Sequence, residues 1–335
     1  MPVKQIQTNH LLLYRPDLTS SDEKTVLTQL VKKNFRDEAA LIHWEEGLAT
    51  LWERPALAFA EHAEAIAALK NILGWRSGET VGVDPLLEPA WREALQEAWL
   101  HQVERDVDPA TGQGTGTWRL PPDMTQPRAA IVRHAFGLPS TMMKGHAFVL
   151  EEISSMVRPM SGCGEGDVQL LDCSGPRILA IGAGCALLAR DAGLIRELAR
   201  VRRHPPGGAA CALGCSLLTG LPERLERRQE LAMRYLTMRL APVACHPANP
   251  ASGRAWEQFC LRLHDGHARQ GMEGFLQKVG IGCGSPVWFQ PPGEHPPGLR
   301  RFLEQTLALP LYASLSDAAC KRVINRVHRW MERTP

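Results

Sequence analysis

Apolar residues recur three and four positions apart, with polar residues between them, through Ser21–Val31, Ala56–Leu73, Glu88–Leu100 and Leu221–Leu240. That period predicts amphipathic helices whose apolar stripes face a core. Four other segments, Thr80–Val83, Ala129–Val132, Phe148–Leu150 and Val168–Leu171, are short apolar or β-branched runs bounded by turn residues. Runs of this kind suit strands covered on both faces, and such strands pair in parallel. Helices alternating with them predict an α/β layered sheet. The Pro/Gly-rich stretch Pro291–Gly298 reads as a loop.

Composition changes this picture little. At 335 residues and 44% hydrophobic content the chain is long enough for a large domain and a small one. A net charge of +2 makes no electrostatic case for nucleic acid. The longest apolar run, between Arg177 and Arg190, is far short of a membrane span, and no secretory leader stands at the amino end, so no membrane partner and a cytoplasmic location are expected. Nine cysteines, an odd number scattered through apolar surroundings, read as reduced core thiols.

Several blocks then resemble one family. Gly164–Asp191 (GEGDVQLLDCSGPRILAIGAGCALLARD) is similar to the strand-loop-strand of the DegT/DnrJ/StrS family of sugar aminotransferases, which depend on pyridoxal phosphate (PLP): Gly166-Asp167 match its opening pair and Gly182 and Gly184 its closing glycines. Val81–Gly112, Pro127–Met142, the YRPDLTSSDE opening, Trp44–Ala49 and Leu307–Ile324 resemble further family blocks in the family's order. The resemblance implies a PLP-dependent transferase fold of type I, like aspartate aminotransferase: a three-layer large domain over residues 1–240 and a small α+β domain over 241–335, linked by the Leu221–Leu240 helix.

The same resemblance assigns the cofactor positions. The Schiff-base lysine falls on Arg177, whose guanidinium stays protonated and has no amine to condense with an aldehyde. The phosphate-binding turn falls on Glu61, His62 and Ala63, the stacking aromatic on Glu88, the partner of the pyridinium nitrogen on Glu152, and a phosphate-binding hydroxyl on Asp172. All four contacts are altered, three of them beyond repair, so the expectation is a vestigial cleft that takes no cofactor, with Arg177, Glu152 and His134 as vestigial catalytic positions. Of the candidate replacement lysines, Lys4, Lys24, Lys32, Lys33, Lys70, Lys144, Lys278 and Lys321, only Lys144 lies near a site block, and it precedes the amino end of a strand, whereas ligands gather beyond the carboxyl ends.

Weaker patterns have plain readings. Cys211 and Cys215 stand one helical turn apart with no second pair, which suits a buried thiol stripe better than a metal site. His264-Asp265-Gly266-His267 lacks a third ligand at a matching offset, so no metal is expected. Glu151 and Glu152 are adjacent on a strand, so only one can face the cleft. Trp91 and Trp99 share a helical face with Leu95 and read as core, and the GAGC at Gly182–Cys185 reads as a tight turn.

Two functions follow. One is an aminotransferase-like protein inactive as a transaminase, serving as a structural or regulatory subunit, as a homodimer or paired with an active paralogue. The other is an enzyme or binder that works without PLP, using the same cleft for a sugar nucleotide or other anionic small molecule, with Arg177 holding the anion and Glu152 or His134 as acid and base. A minor third is an active PLP aminotransferase.

Overall fold

The computed structural model describes residues 10–122, 124, 126–142, 148–160, 162–238, 240, 244–246, 254–291 and 293–333. Lys4 and Lys144 lie outside them. In chain order the elements are α1 (Ser20–Lys32), α2 (Glu38–Trp52), β1 (Ala56–Phe59), α3 (His62–Ile72), β2 (Thr80–Val83), α4 (Pro89–Glu97), β3 (His101–Glu104), β4 (Asp106–Val107), β5 (Gly114–Thr115), β6 (Ala129–Arg133), β7 (Phe148–Glu152), β8 (Val168–Asp172) and β9 (Cys185–Ala189). There follow α5 (Ala192–Val201), α6 (Gly208–Thr219), α7 (Leu221–Leu236), β10 (Ala244–His246), β11 (Phe259–Arg262), α8 (Gly266–Lys278), α9 (Pro297–Gln305), β12 (Thr306–Leu309) and α10 (Asp317–Met331).

Seven strands form the central sheet in the order β1-β9-β8-β7-β6-β2-β3. The four runs read as parallel strands become β2, β6, β7 and β8, which pair in parallel with one another, while β9 runs antiparallel to both β8 and β1. One face packs on α3, α4 and α5 through Phe59, Val83, Ile131, Leu170 and Leu187 with Ile66, Leu95 and Leu198. The other face packs on α2, α6 and the start of α7 through Ala58, Leu171, Ala186 and Leu188 with Trp44, Leu48, Cys211 and Leu225. The result is a mixed α/β fold with a mostly parallel sheet between two helical layers. A smaller antiparallel sheet, β10-β11-β12, builds a separate core with α8, α10 and the end of α7.

Local signals explain the helices. Thr19 and Asp22 form a capping box at α1; Asp37, Asp191, Asp265 and Ser316 cap α2, α5, α8 and α10 through their side chains. The α2 stripe of Trp44, Leu48 and Trp52 is spaced by four and buried. Two sequence expectations fail. The helix expected over Ala56–Leu73 is a strand, β1, followed by α3 from His62, because pairing Ala56–Phe59 with β9 satisfies this edge and leaves Ala60–Glu61 to turn the chain. Trp99 is 76% exposed and sits in the left-handed region just after α4, so it does not share the buried face of Trp91 and Leu95. The GAGC segment is the expected turn: Gly184 has φ +92°, and a Cβ there would stand 2.6 Å from the Phe59 carbonyl oxygen.

Candidate functional site

The parallel strands β2, β6, β7 and β8 deliver Asp84, Arg133, Glu152 and Asp172 to one edge of the sheet, the carboxyl edge where ligands of open α/β folds bind. Glu88, at the amino end of α4, makes no cap to its own helix and is fully buried, its carboxylate turned toward the same edge.

Arg177 crosses this edge. Its Nη2 donates to Glu88 Oε1, its Nη1 donates to Glu257 Oε1 at 2.7 Å, and its Nε lies 3.8 Å from Asp172 Oδ2. Arg133 Nη2 donates to the same Glu88 oxygen at 2.6 Å, and its Nε is 3.4 Å from Glu152 Oε2. Ser155 donates to Glu257, and Ser154 donates to Glu152 while accepting from the Asp172 amide at 2.7 Å. Two guanidiniums thus face four carboxyls, all 5% exposed or less. Burial alone would lower the Arg177 pKa, but Glu88 and Glu257 hold it well above the ordinary guanidinium value. Burial raises the carboxyls, yet Glu257 is held below its ordinary value by Arg177 and Ser155, and Asp172 by His62 and Arg177. Glu152 goes the other way: burial first, and the charge of Glu88 second, push it up to about 8 against the opposing pull of Arg133 and Arg177.

The residues marked by the resemblance divide in this geometry. Arg177, Glu88, Glu152 and Asp172 meet in one cluster, and His62 joins through a 3.1 Å contact from Nε2 to Asp172 Oδ1, its ring edge-on to Trp91. Glu61 is exposed and Ala63 packs beneath the sheet with α3, so neither carboxylate nor methyl of this pair reaches the cluster. His134 is buried beside it, its Nδ1 accepting from the Ser140 amide at 2.9 Å and its Nε2 3.6 Å from Glu151. Glu151 faces the other way from Glu152, accepting from the Gly164 and Glu165 amides; burial raises its pKa, but His134 beside it brings it below the ordinary value.

Sequence reasoning missed Arg133, Glu257 and the Asp84–Arg105 pair, in which Asp84 also accepts from the Arg133 amide at 2.8 Å. Charged residues closing strands β2 and β6 were a signal for Asp84 and Arg133; nothing local marks Glu257, 80 residues beyond Arg177. Both terminal nitrogens of Arg177, to which the second reading of the sequence gave an anion, are engaged by carboxylates. Among the described residues no group of three or more His, Cys, Asp or Glu is placed to hold a metal, and no helix is long and apolar enough to cross a membrane. No described lysine shares an ion pair or hydrogen bond with the cluster; Lys70 donates to Ser77 and the Ala98 carbonyl on the far side of α3.

Residues 208–328 match the DegT/DnrJ/EryC1/StrS aminotransferase family. A comparison with curated proteins gave no match. Among solved structures, the aminotransferase TlmJ from Streptoalloteichus hindustanus is similar with a TM-score of 0.80 and 24% identity, over 96% of this chain and 98% of that one. A putative sugar aminotransferase from Streptococcus pneumoniae, in its pyridoxamine phosphate (PMP) form, is similar with a TM-score of 0.81 and 14% identity, over 97% and 98%. DesV from S. venezuelae, in complex with a ketimine intermediate, gives 0.78 and 20%, over 94% and 95%. The fold is therefore that of the PLP-dependent aminotransferases.

These neighbours overturn the expectation that the chain takes no cofactor. The pneumococcal protein exists in PLP and PMP forms, so a cofactor of this class is to be expected with the fold. The residues fit it in part. Glu152 closes β7 with a buried carboxyl of the kind that partners a ring nitrogen. Position 177 offers no amine, so a cofactor held here would be held without a bond to that residue.

Proposed function

Because residues 208–328 carry a DegT/DnrJ/EryC1/StrS aminotransferase family domain, we propose that this aminotransferase-like chain does not transaminate through residue 177 and serves as a structural or regulatory subunit. One observation carries this reading: Arg177 is locked between Glu88 and Glu257, where the chemistry of the fold needs a free amine. The pocket chemistry that bound PLP or PMP would supply, electron withdrawal from a bound amine, then has no imine at residue 177 to start from. Among the chain's own groups, Arg133 and Arg177 fix Glu88 between them, and burial raises the Glu152 pKa.

The same proposal includes a domain boundary near residue 240, supported by the separate core around the β10-β11-β12 sheet, and assembly as a homodimer or with an active paralogue. Exposed Leu27, Leu30, Val31 and Phe35 on and after α1 support a protein partner. Free buried thiols at Cys173, Cys185 and Cys211 support a reducing, cytoplasmic setting.

The test is to incubate the purified protein with PLP, reduce with borohydride and map adducts by mass spectrometry, alongside a half-reaction with amino donors. Cofactor retained without an adduct and without amino transfer supports the reading. Amino transfer, with an adduct on any lysine, overturns it.

A further inference from the structure

Among the described residues the buried arginines are paired with carboxylates, with one exception. Arg92 meets Glu104, Arg105 Asp84, Arg133 Glu88, Arg177 Glu88 and Glu257, Arg224 Asp22, and Arg228 Asp17. Arg254, before β11, is 1% exposed and has no carboxylate partner among the described residues. Its Nε donates to the Phe136 carbonyl at 3.1 Å, and its guanidinium lies 3.8 Å above the Trp256 ring. Nη1 and Nη2 have no hydrogen-bond partner. Burial without a counter-anion pulls its pKa down to about 10, so it stays charged at neutral pH.

A buried cation left unpaired is costly, and proteins keep one where something else completes it. The position indicates what. Arg254 packs on the turn that leaves β6 at the ligand edge of the sheet: its Cγ would be 3.5 Å from a Cβ at Gly137, whose φ of +74° lets the turn approach Ser155 and Ala255. Ser155 in turn joins Arg177 and Glu257, so Arg254 lies directly outside the ion-pair cluster. The same turn carries one more buried polar atom without a hydrogen bond, Ser140 Oγ. A guanidinium fixed at Nε and by a ring beneath it presents two free N–H edges in a plane, the geometry that binds carboxylate or phosphoryl oxygens in pairs. We propose that Arg254 anchors an oxyanion subsite beside the cleft, which receives the carboxylate or phosphoryl group of a small molecule. It does not depend on whether residue 177 supports transamination.

The test uses the full chain and calorimetric titration with inorganic phosphate and with acetate, each against chloride at matched ionic strength. Saturable binding of phosphate alone assigns a phosphoryl group, and of acetate alone a carboxylate; either is expected to weaken at least about tenfold in Arg254→Met, which keeps a stem over Trp256 and removes the charge. Arg254→Lys keeps the charge and loses the fork, and is expected to weaken binding several-fold; it decides the question if the Met variant does not fold. Binding of neither anion across the millimolar range, or binding unchanged in the variants, overturns the subsite.

Discussion

Arg177→Met should destabilise the protein strongly at alkaline pH and much less in acid. In the native chain Arg177 serves two buried carboxylates, but they are not equally exposed to its loss: Glu88 keeps Arg133 at 2.6 Å, whereas Glu257 keeps the Ser155 hydroxyl and only the more distant charge of Arg133. Unit charges 2.7 Å apart in an effective dielectric of about 20 attract by roughly 6 kcal/mol before desolvation is subtracted. Orphaning one member of a buried pair costs about 3–5 kcal/mol net, which is the loss expected at pH 8. The sign of the pH dependence follows from Glu257. With Arg177 present its folded pKa is depressed, so it stabilises above its unfolded pKa and loses that contribution as pH falls. Without Arg177, burial dominates and the folded pKa rises; the group then stabilises below its unfolded pKa and destabilises as pH increases. The two stability curves must converge toward acid, to within about 2 kcal/mol near pH 5, since each pKa unit is worth about 1.4 kcal/mol. Urea unfolding at pH 5, 6.5 and 8 measures this from the midpoints at constant slope. A loss under about 1 kcal/mol at pH 8, or a gap independent of pH, would refute the argument that Arg177 is held by charge.

Three further outcomes are expected. Arg177→Lys will give no borohydride-trappable imine with PLP at residue 177, because Glu88, Glu257 and Asp172 hold the new ammonium protonated and a protonated amine is no nucleophile; a lysine adduct at 177 by peptide mapping would show otherwise. Glu152 has a folded pKa raised to about 8, so its favourable contribution is complete below its unfolded pKa and fades as pH rises through 8. Glu152→Gln should therefore gain stability relative to the native chain between pH 6 and pH 9 in thermal melts, and a constant difference would contradict the raised pKa. Gly184→Ala forces a side chain into φ +92° and against the Phe59 carbonyl, and should cost about 2 kcal/mol or more in the same melts, while unchanged stability would mean the turn relaxes freely.

The central strands and most of the large helices were legible in the chain itself, because a strand covered on both faces is apolar throughout and a helix carries its stripe at every turn, as Val168–Leu171 and the 221–240 stretch do. The resemblance placed Arg177, Glu88, Glu152 and Asp172 at one site, and these four do meet. What the chain could not disclose is what neutralises them. Ala56–Phe59 is too short for its period to be read and becomes a strand only because β9 is there to pair with it. Glu61 and Glu88 look alike as acidic residues opening helices, yet one is exposed and the other buried between two arginines, a difference set by the packing of α4 against the sheet edge. Glu257 and Arg254 carry no local mark, because a charge acquires its partner, or lacks one, only when residues far apart in sequence are brought to the same buried edge. Short-range periodicity is written into the polymer; the balance of buried charge exists only in three dimensions.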